Sequence, residues 1–190
     1  MPTVLVFDVA TSRFHTDKKT GEEPRVIRLA FWRSTEPTPI CLVIRPVGAI
    51  TIDPKTVAYH DLTVEDVTRH GIDPSEAVKR LGEAGVGVDA IVTYNADYHW
   101  RQLYRLMGVD GALPPAVAVD AMRLATPIVA IESMRPGGGL KNPSLLEACD
   151  ALGVDRPHTL SGPMVLGITT VQAIYGVYTA CVALTPKADE

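Results

Sequence analysis

The chain has 190 residues, 46% of them hydrophobic, which is enough for one sizeable core. A formal net charge of −4 and a pI of about 5.7 exclude a global basic field, so a nucleic-acid partner would need a local basic patch or metal ions. The three cysteines, Cys41, Cys149 and Cys181, form no CxxC pair, which argues against a disulfide framework or a zinc site and for buried free thiols.

The N-terminus lacks a basic stretch followed by an apolar core of signal-peptide length. No run is expected to reach the roughly 20 apolar residues of a membrane helix. The expectation is a soluble, reduced, cytoplasmic protein with no membrane partner. One domain is expected over residues 1–190, with its core at about 3–184 and a frayed C-terminal tail.

The first element is a buried strand, Thr3 to Phe7, running into Asp8 and then the small residues Val9, Ala10, Thr11 and Ser12. Asp8, as its last residue, would emerge at the carboxyl end of a central strand, where open α/β sheets leave a crevice. Arg13 to Pro24 is a polar loop. Strands follow at Val26–Arg33 and Ile40–Val47, close enough in sequence for an antiparallel meander. Asp53-Pro54 and Asp61-Leu62-Thr63 open short helical turns, and Thr63 with Asp66 makes a capping-box start. Asp73-Pro74 begins a clearer helix, with Ala77, Val78, Leu81 and Ala84 on one face and Gly85 or Gly87 ending it.

Asp89 to Thr93 is a second apolar strand, expected to lie parallel beside the first. It runs into Tyr94-Asn95-Ala96-Asp97-Tyr98-His99-Trp100 and a helix marked by Leu103, Leu106 and Met107. Pro114-Pro115 breaks the chain, Val117–Val119 is a brief strand, and Asp120 to Ala125 begins a helix. Arg135 to Gly139 is a glycine-rich loop without the Walker spacing. Ser144 to Leu152 is a helix closed by Gly153, and Gly162 to Leu184 is one long apolar helix. Three strands followed by alternating helices and short strands point to a mixed sheet flanked by helices.

The order of these pieces resembles the DnaQ-like (DEDDh) 3′–5′ exonuclease family. That resemblance implies an α/β fold of the ribonuclease H-like kind, with a mixed five-stranded sheet. The family's first motif, a strand ending in Asp-x-Glu, stands here as Asp8-Val9-Ala10. Its second, His-Asn-Ala-x-Phe-Asp opening a helix, stands as Tyr94-Asn95-Ala96-Asp97-Tyr98-His99. His60-Asp61-Leu62-Thr63 is similar to a His-Gly-Ile-Thr connection. Val119-Asp120-Ala121 and Ser144 to Val154 are similar to the next strand–helix start and to the helix before the third motif. That third motif is a His followed five residues later by Asp; here it is His158 and then Pro163.

What the resemblance implies for chemistry is carried by four positions. In the family, four carboxylates hold two divalent ions, magnesium or manganese, about 4 Å apart, to clamp the oxygens of a phosphodiester. Those positions are Asp8, Ala10, His99 and Pro163, so only Asp8 keeps its carboxylate. The candidate catalytic residues are therefore Asp8, His99 and His158, with Asp8 and His99 as candidate metal ligands. Asn95, Tyr98 and Thr11 are candidate nucleic-acid contacts.

Each has a plainer reading beside it. Asp8 would cap a turn; Asn95 would tie backbone groups at the strand-to-helix turn. Tyr98 and Trp100 would be core or rim aromatics rather than base-stacking residues. His158 would be an exposed loop histidine. Asp97 and Asp120 are weaker substitute ligands, because Asp97 lies two residues before His99 at a helix start and should point elsewhere. Three functions stay open: an exonuclease-like domain that binds single-stranded nucleic acid or nucleotide with absent or weak activity, an active exonuclease with an unusual site, and a protein-interaction module.

Overall fold

The computed structural model describes residues 2–108, 116–135, 137–157 and 162–185. Five strands, β1 (Val4–Thr11), β2 (Val26–Arg33), β3 (Ile40–Val43), β4 (Ala90–Thr93) and β5 (Val117–Asp120), form one mixed sheet. Its order is β3-β2-β1-β4-β5. The first three strands pair antiparallel, whereas β1, β4 and β5 run parallel. β1 is thus central, with β4 parallel beside it.

Two strand ends differ from expectation. β1 does not stop at Asp8 but continues to Thr11, because β2 goes on pairing with it through Asp8↔Ala30, Val9↔Leu29 and Ala10↔Arg28. On its other side the ladder with β4 ends at Val6↔Val92. Asp8 therefore lies beyond the end of its parallel neighbour while still inside a strand. β3 is shorter than the expected Ile40–Val47: past Val43, Ile44 donates to the Ile27 carbonyl and bridges to Ile72, and Pro46 has no N–H to extend the ladder.

Helices cover both faces. α1 (Pro54–His60), α2 (Val64–His70) and α3 (Pro74–Gly85) follow the meander. α4 (Ala96–Met107) follows β4, and α5 (Ala121–Val129), α6 (Leu145–Leu152) and α7 (Pro163–Leu184) complete the fold. Their starts are set locally. Asp53 and Asp73 accept from backbone N–H groups ahead of a proline, and Thr63–Asp66 and Ser144–Glu147 form complete capping boxes. Gly153 closes α6 in the left-handed conformation, the usual use of a glycine at that position.

The pleat sorts the core into two layers. Leu5, Phe7, Leu29, Phe31 and Leu42 pack with Ala77, Leu81 and Leu103 of α3 and α4. Val4, Val6 and Ala30 face Val171, Ile174 and Val177 of α7, with Ala121, Ala125 and Cys149 completing that layer. All three cysteines are buried and free. Contrary to expectation, α7 contains one segment, Met164–Leu184, long and apolar enough by length and composition to cross a membrane. Here it lies across the sheet and packs on β1, β2, β3 and β4 and against α5 and α6.

Candidate functional site

Asp8 sits on the α7 face of β1, where the parallel ladder has already ended, and is buried. Its carboxylate is met from two directions. Nη2 of Arg28, on β2, donates to Oδ2 at 3.3 Å, and Nε2 of His99, in the first turn of α4, stands 3.7 Å from Oδ1. Arg28 is opposite Ala10 in the β1–β2 register and is only 1% exposed. The guanidinium thus reaches two residues back along β1, on the same face, to Asp8.

His99 is fixed by the backbone. The Val9 N–H has no β4 partner, because β4 has already turned into α4, and it donates to His99 Nδ1 at 3.3 Å. A backbone N–H can only donate, so Nδ1 is an acceptor and the proton of the neutral ring lies on Nε2, facing Asp8. Burial holds the His99 pKa below the usual range, partly opposed by Asp8. The neutral tautomer is therefore the one present at pH 7.

Ala10 is fully buried in a small apolar cluster with Ile27, Val43, Leu62 and Val67. Thr11, beyond a register shift after Ala10, is also buried. Its hydroxyl donates to the Arg13 carbonyl at 2.8 Å and so accepts from the Tyr98 phenol, 2.6 Å away. Burial raises the Tyr98 pKa, and the phenol stays a donor. Trp100 packs edge-on to Phe7 with ring centres 5.2 Å apart.

Asn95 stands at the same end of the sheet as Asp8, in a left-handed conformation (φ 66°), and its side chain makes no capping bond. The expected tying of backbone groups is done by Asp120 instead. Its carboxylate accepts from the N–H of Asn95 (3.1 Å), Ala96 (3.0 Å) and Met122 (3.0 Å). Asp97 points away to Arg123, 2.7 Å distant at the surface. Pro163 occupies the first position of α7, where its missing N–H costs nothing. His158 lies outside the described residues.

Sequence reasoning missed two residues here. Arg28 is a charge in the interior of an otherwise apolar stretch, Val26 to Trp32, and that contrast was its only signal. His60 closes α1, is 7% exposed, and leaves Nδ1 without a hydrogen-bond partner. Burial first, then the Arg28 charge, pushes its pKa down to about 4. Its ring lies 4.9 Å from Tyr59 and 6.0 Å from Phe14, two exposed aromatics.

Among the described residues, no three His, Cys, Asp or Glu side chains converge as a metal-binding group would require. Asp8 is, among the described residues, the carboxylate that Arg28 and His99 face; His99 has its one lone pair occupied, and Ala10 supplies no oxygen. The described donor set does not fit a pair of hard divalent cations.

The architecture defines the fold: this is a mixed α/β fold of the ribonuclease H-like kind. Among solved structures, the chain is similar to exonuclease I from Methylocaldum szegediense (TM-score 0.61, 15% identity, 93% of this chain and 40% of that one). It is also similar to E. coli exonuclease I in complex with a dA16 oligonucleotide (TM-score 0.64, 15% identity, 93% and 40%). A third similar structure is an ExoI/SSB-Ct complex (TM-score 0.61, 15% identity, 96% and 43%). The chain spans about two fifths of the length of these exonuclease I chains. At this identity the likeness is one of fold. No protein-family model and no curated protein sequence matches the chain.

Proposed function

We propose that this protein is an exonuclease-like domain that binds single-stranded nucleic acid or nucleotide in the cytoplasm without effective metal-dependent hydrolysis. The observation that carries the reading is Asp8, a buried carboxylate already engaged by Arg28. Hydrolysis in this fold class needs ions that hold the attacking and leaving oxygens in line. A water without a metal keeps its pKa near 15.7, so a histidine such as His158 alone would not generate a useful nucleophile at neutral pH. The roles of Asp8 and His99 are then relict ones, lining the crevice, and any role of His158 is relict too. Binding is supported by the fold shared with a structure holding a dA16 oligonucleotide, and by the exposed aromatics Phe14 and Tyr59 packed around His60. Base–aromatic stacking and phosphate contacts supply affinity without chemistry.

The test compares the natural chain with Asp8→Asn on 3′-labelled DNA and RNA, with magnesium or manganese present. No digestion is expected from either, while the natural chain retains oligonucleotide on a filter at low salt. Retention should fall in moderate salt, because counterions compete for phosphate contacts. Digestion from the 3′ end that Asp8→Asn abolishes would overturn the proposal in favour of an active enzyme. Failure to retain any oligonucleotide would leave the interaction-module reading.

A further inference from the structure

We propose that Arg28 is a built-in replacement for bound divalent cations, making the crevice electrically complete and its ligand binding independent of metal. This deepens the degenerate-site reading above and rests on it. A buried carboxylate needs a compensating positive charge. Asp8 obtains that charge from the chain itself, through an ion pair with a guanidinium 3.3 Å away on the strand position facing Ala10.

Three further features belong to the same device. The first is the path of Arg28, which α7 leaves open at Gly167. A Cβ there would fall 3.1 Å from Arg28 Nε, 3.2 Å from its Cδ and 2.5 Å from Cys41 Sγ. The second is Ala10, sealed under Ile27, Val43, Leu62 and Val67, where no second carboxylate competes for the guanidinium. The third is His99, whose Nε2–H is aimed at Asp8 by the Val9 N–H on Nδ1. A metal at Nε2 would need the proton moved to Nδ1, directly against that backbone N–H. An incoming divalent ion would also meet the fixed positive charge of Arg28.

The experiment reads thermal unfolding of the full chain in chelator, magnesium and manganese. The natural chain should unfold at the same temperature in all three. Arg28→Met should unfold lower in chelator and recover part of the loss with manganese, through the freed Asp8. The double variant Asp8→Asn/Arg28→Met should not respond to metal. A manganese response of Arg28→Met no larger than that of the double variant would overturn the proposal. If Arg28→Met is insoluble, it is refolded with and without manganese. Soluble protein only with manganese supports the proposal, and none in either condition overturns it. Calorimetric titration of the natural chain with manganese gives an independent reading: a saturable site lost in Asp8→Asn also overturns it. Oligonucleotide retention by the natural chain in chelator, expected to equal that in magnesium, is scored on the same samples. Retention with failed metal arms would sink the internal cation and leave nucleic-acid binding standing.

Discussion

Asp8 and Asp120 stand at the same edge of one sheet, on β1 and β5, and their charges are satisfied by different means. Asp8 is met by side chains, the Arg28 guanidinium and the His99 Nε2–H. Asp120 is met by backbone, the N–H groups of Asn95, Ala96 and Met122 at two helix starts. Backbone donors at a helix N-terminus are fixed by the fold and carry partial positive charge, so an aspartate there is a local structural part. A guanidinium is a full charge delivered from another strand, and its loss strands a buried ion. A carboxylate at a strand end is therefore no guide to chemistry until its partners are known.

The largest effect expected is at the Asp8 centre. Arg28→Met or Asp8→Asn alone should each cost about 3–5 kcal/mol, as when one partner of a buried ion pair is removed. In urea titrations, the double variant should lose markedly less than the sum of the singles. Additive losses would show that the two side chains are not coupled and would erase the contrast with Asp120.

Asp120→Ala should cost less, about 1–3 kcal/mol, because unsatisfied N–H groups at a helix start are neutral and water can reach some of them. Hydrogen exchange should quicken at Asn95, Ala96 and Met122 and leave Val9 unchanged. Faster exchange at Val9 would mean that the two aspartates share one network.

The pH dependence should also divide them. The pKa of His60 in the folded protein is about 4, below the ordinary histidine value, with burial as the main cause. The unfolded chain therefore binds more protons between about pH 6.5 and pH 4, and stability should fall as pH is lowered through that window. His99, also depressed by burial, adds to the slope with the same sign. His60→Phe should flatten the profile, as read from midpoint shifts in urea between pH 7 and pH 4.5. An unchanged slope would mean that His60 titrates normally.

The smallest effect belongs to the third aspartate of this edge, Asp97. Its pair with Arg123 is exposed on both sides, so Asp97→Ala should change stability by no more than about 0.5 kcal/mol. A larger loss would make Asp97 part of the Asp120 capping site, which Arg123 also approaches at 3.7 Å.

Much of this edge was legible in the residues themselves. The apolar run before Asp8, the capping box at Thr63, Pro74 behind Asp73, and Pro163 at the start of α7 are signals that act within a turn or a few residues. They located strands and helix starts without knowledge of the rest of the chain. Asp61 and Asn95 fit the same rule: both adopt the left-handed conformation that Asp and Asn tolerate best after glycine, at φ 54° and 66°. The Asn95 side chain was expected to tie the turn together, but Asp120 does so from 25 residues away.

What tertiary structure alone decided is the partner of Asp8. That choice depends on the register of β2 against β1, which sets Arg28 opposite Ala10, and on Gly167 of α7 leaving its path open. It depends too on β4 leaving the ladder before Val9, which frees one N–H to set the tautomer of His99. None of these contacts is encoded by spacing along the chain. Each arises when segments distant along the chain are packed together, and there burial makes a single charge too costly to leave without a partner.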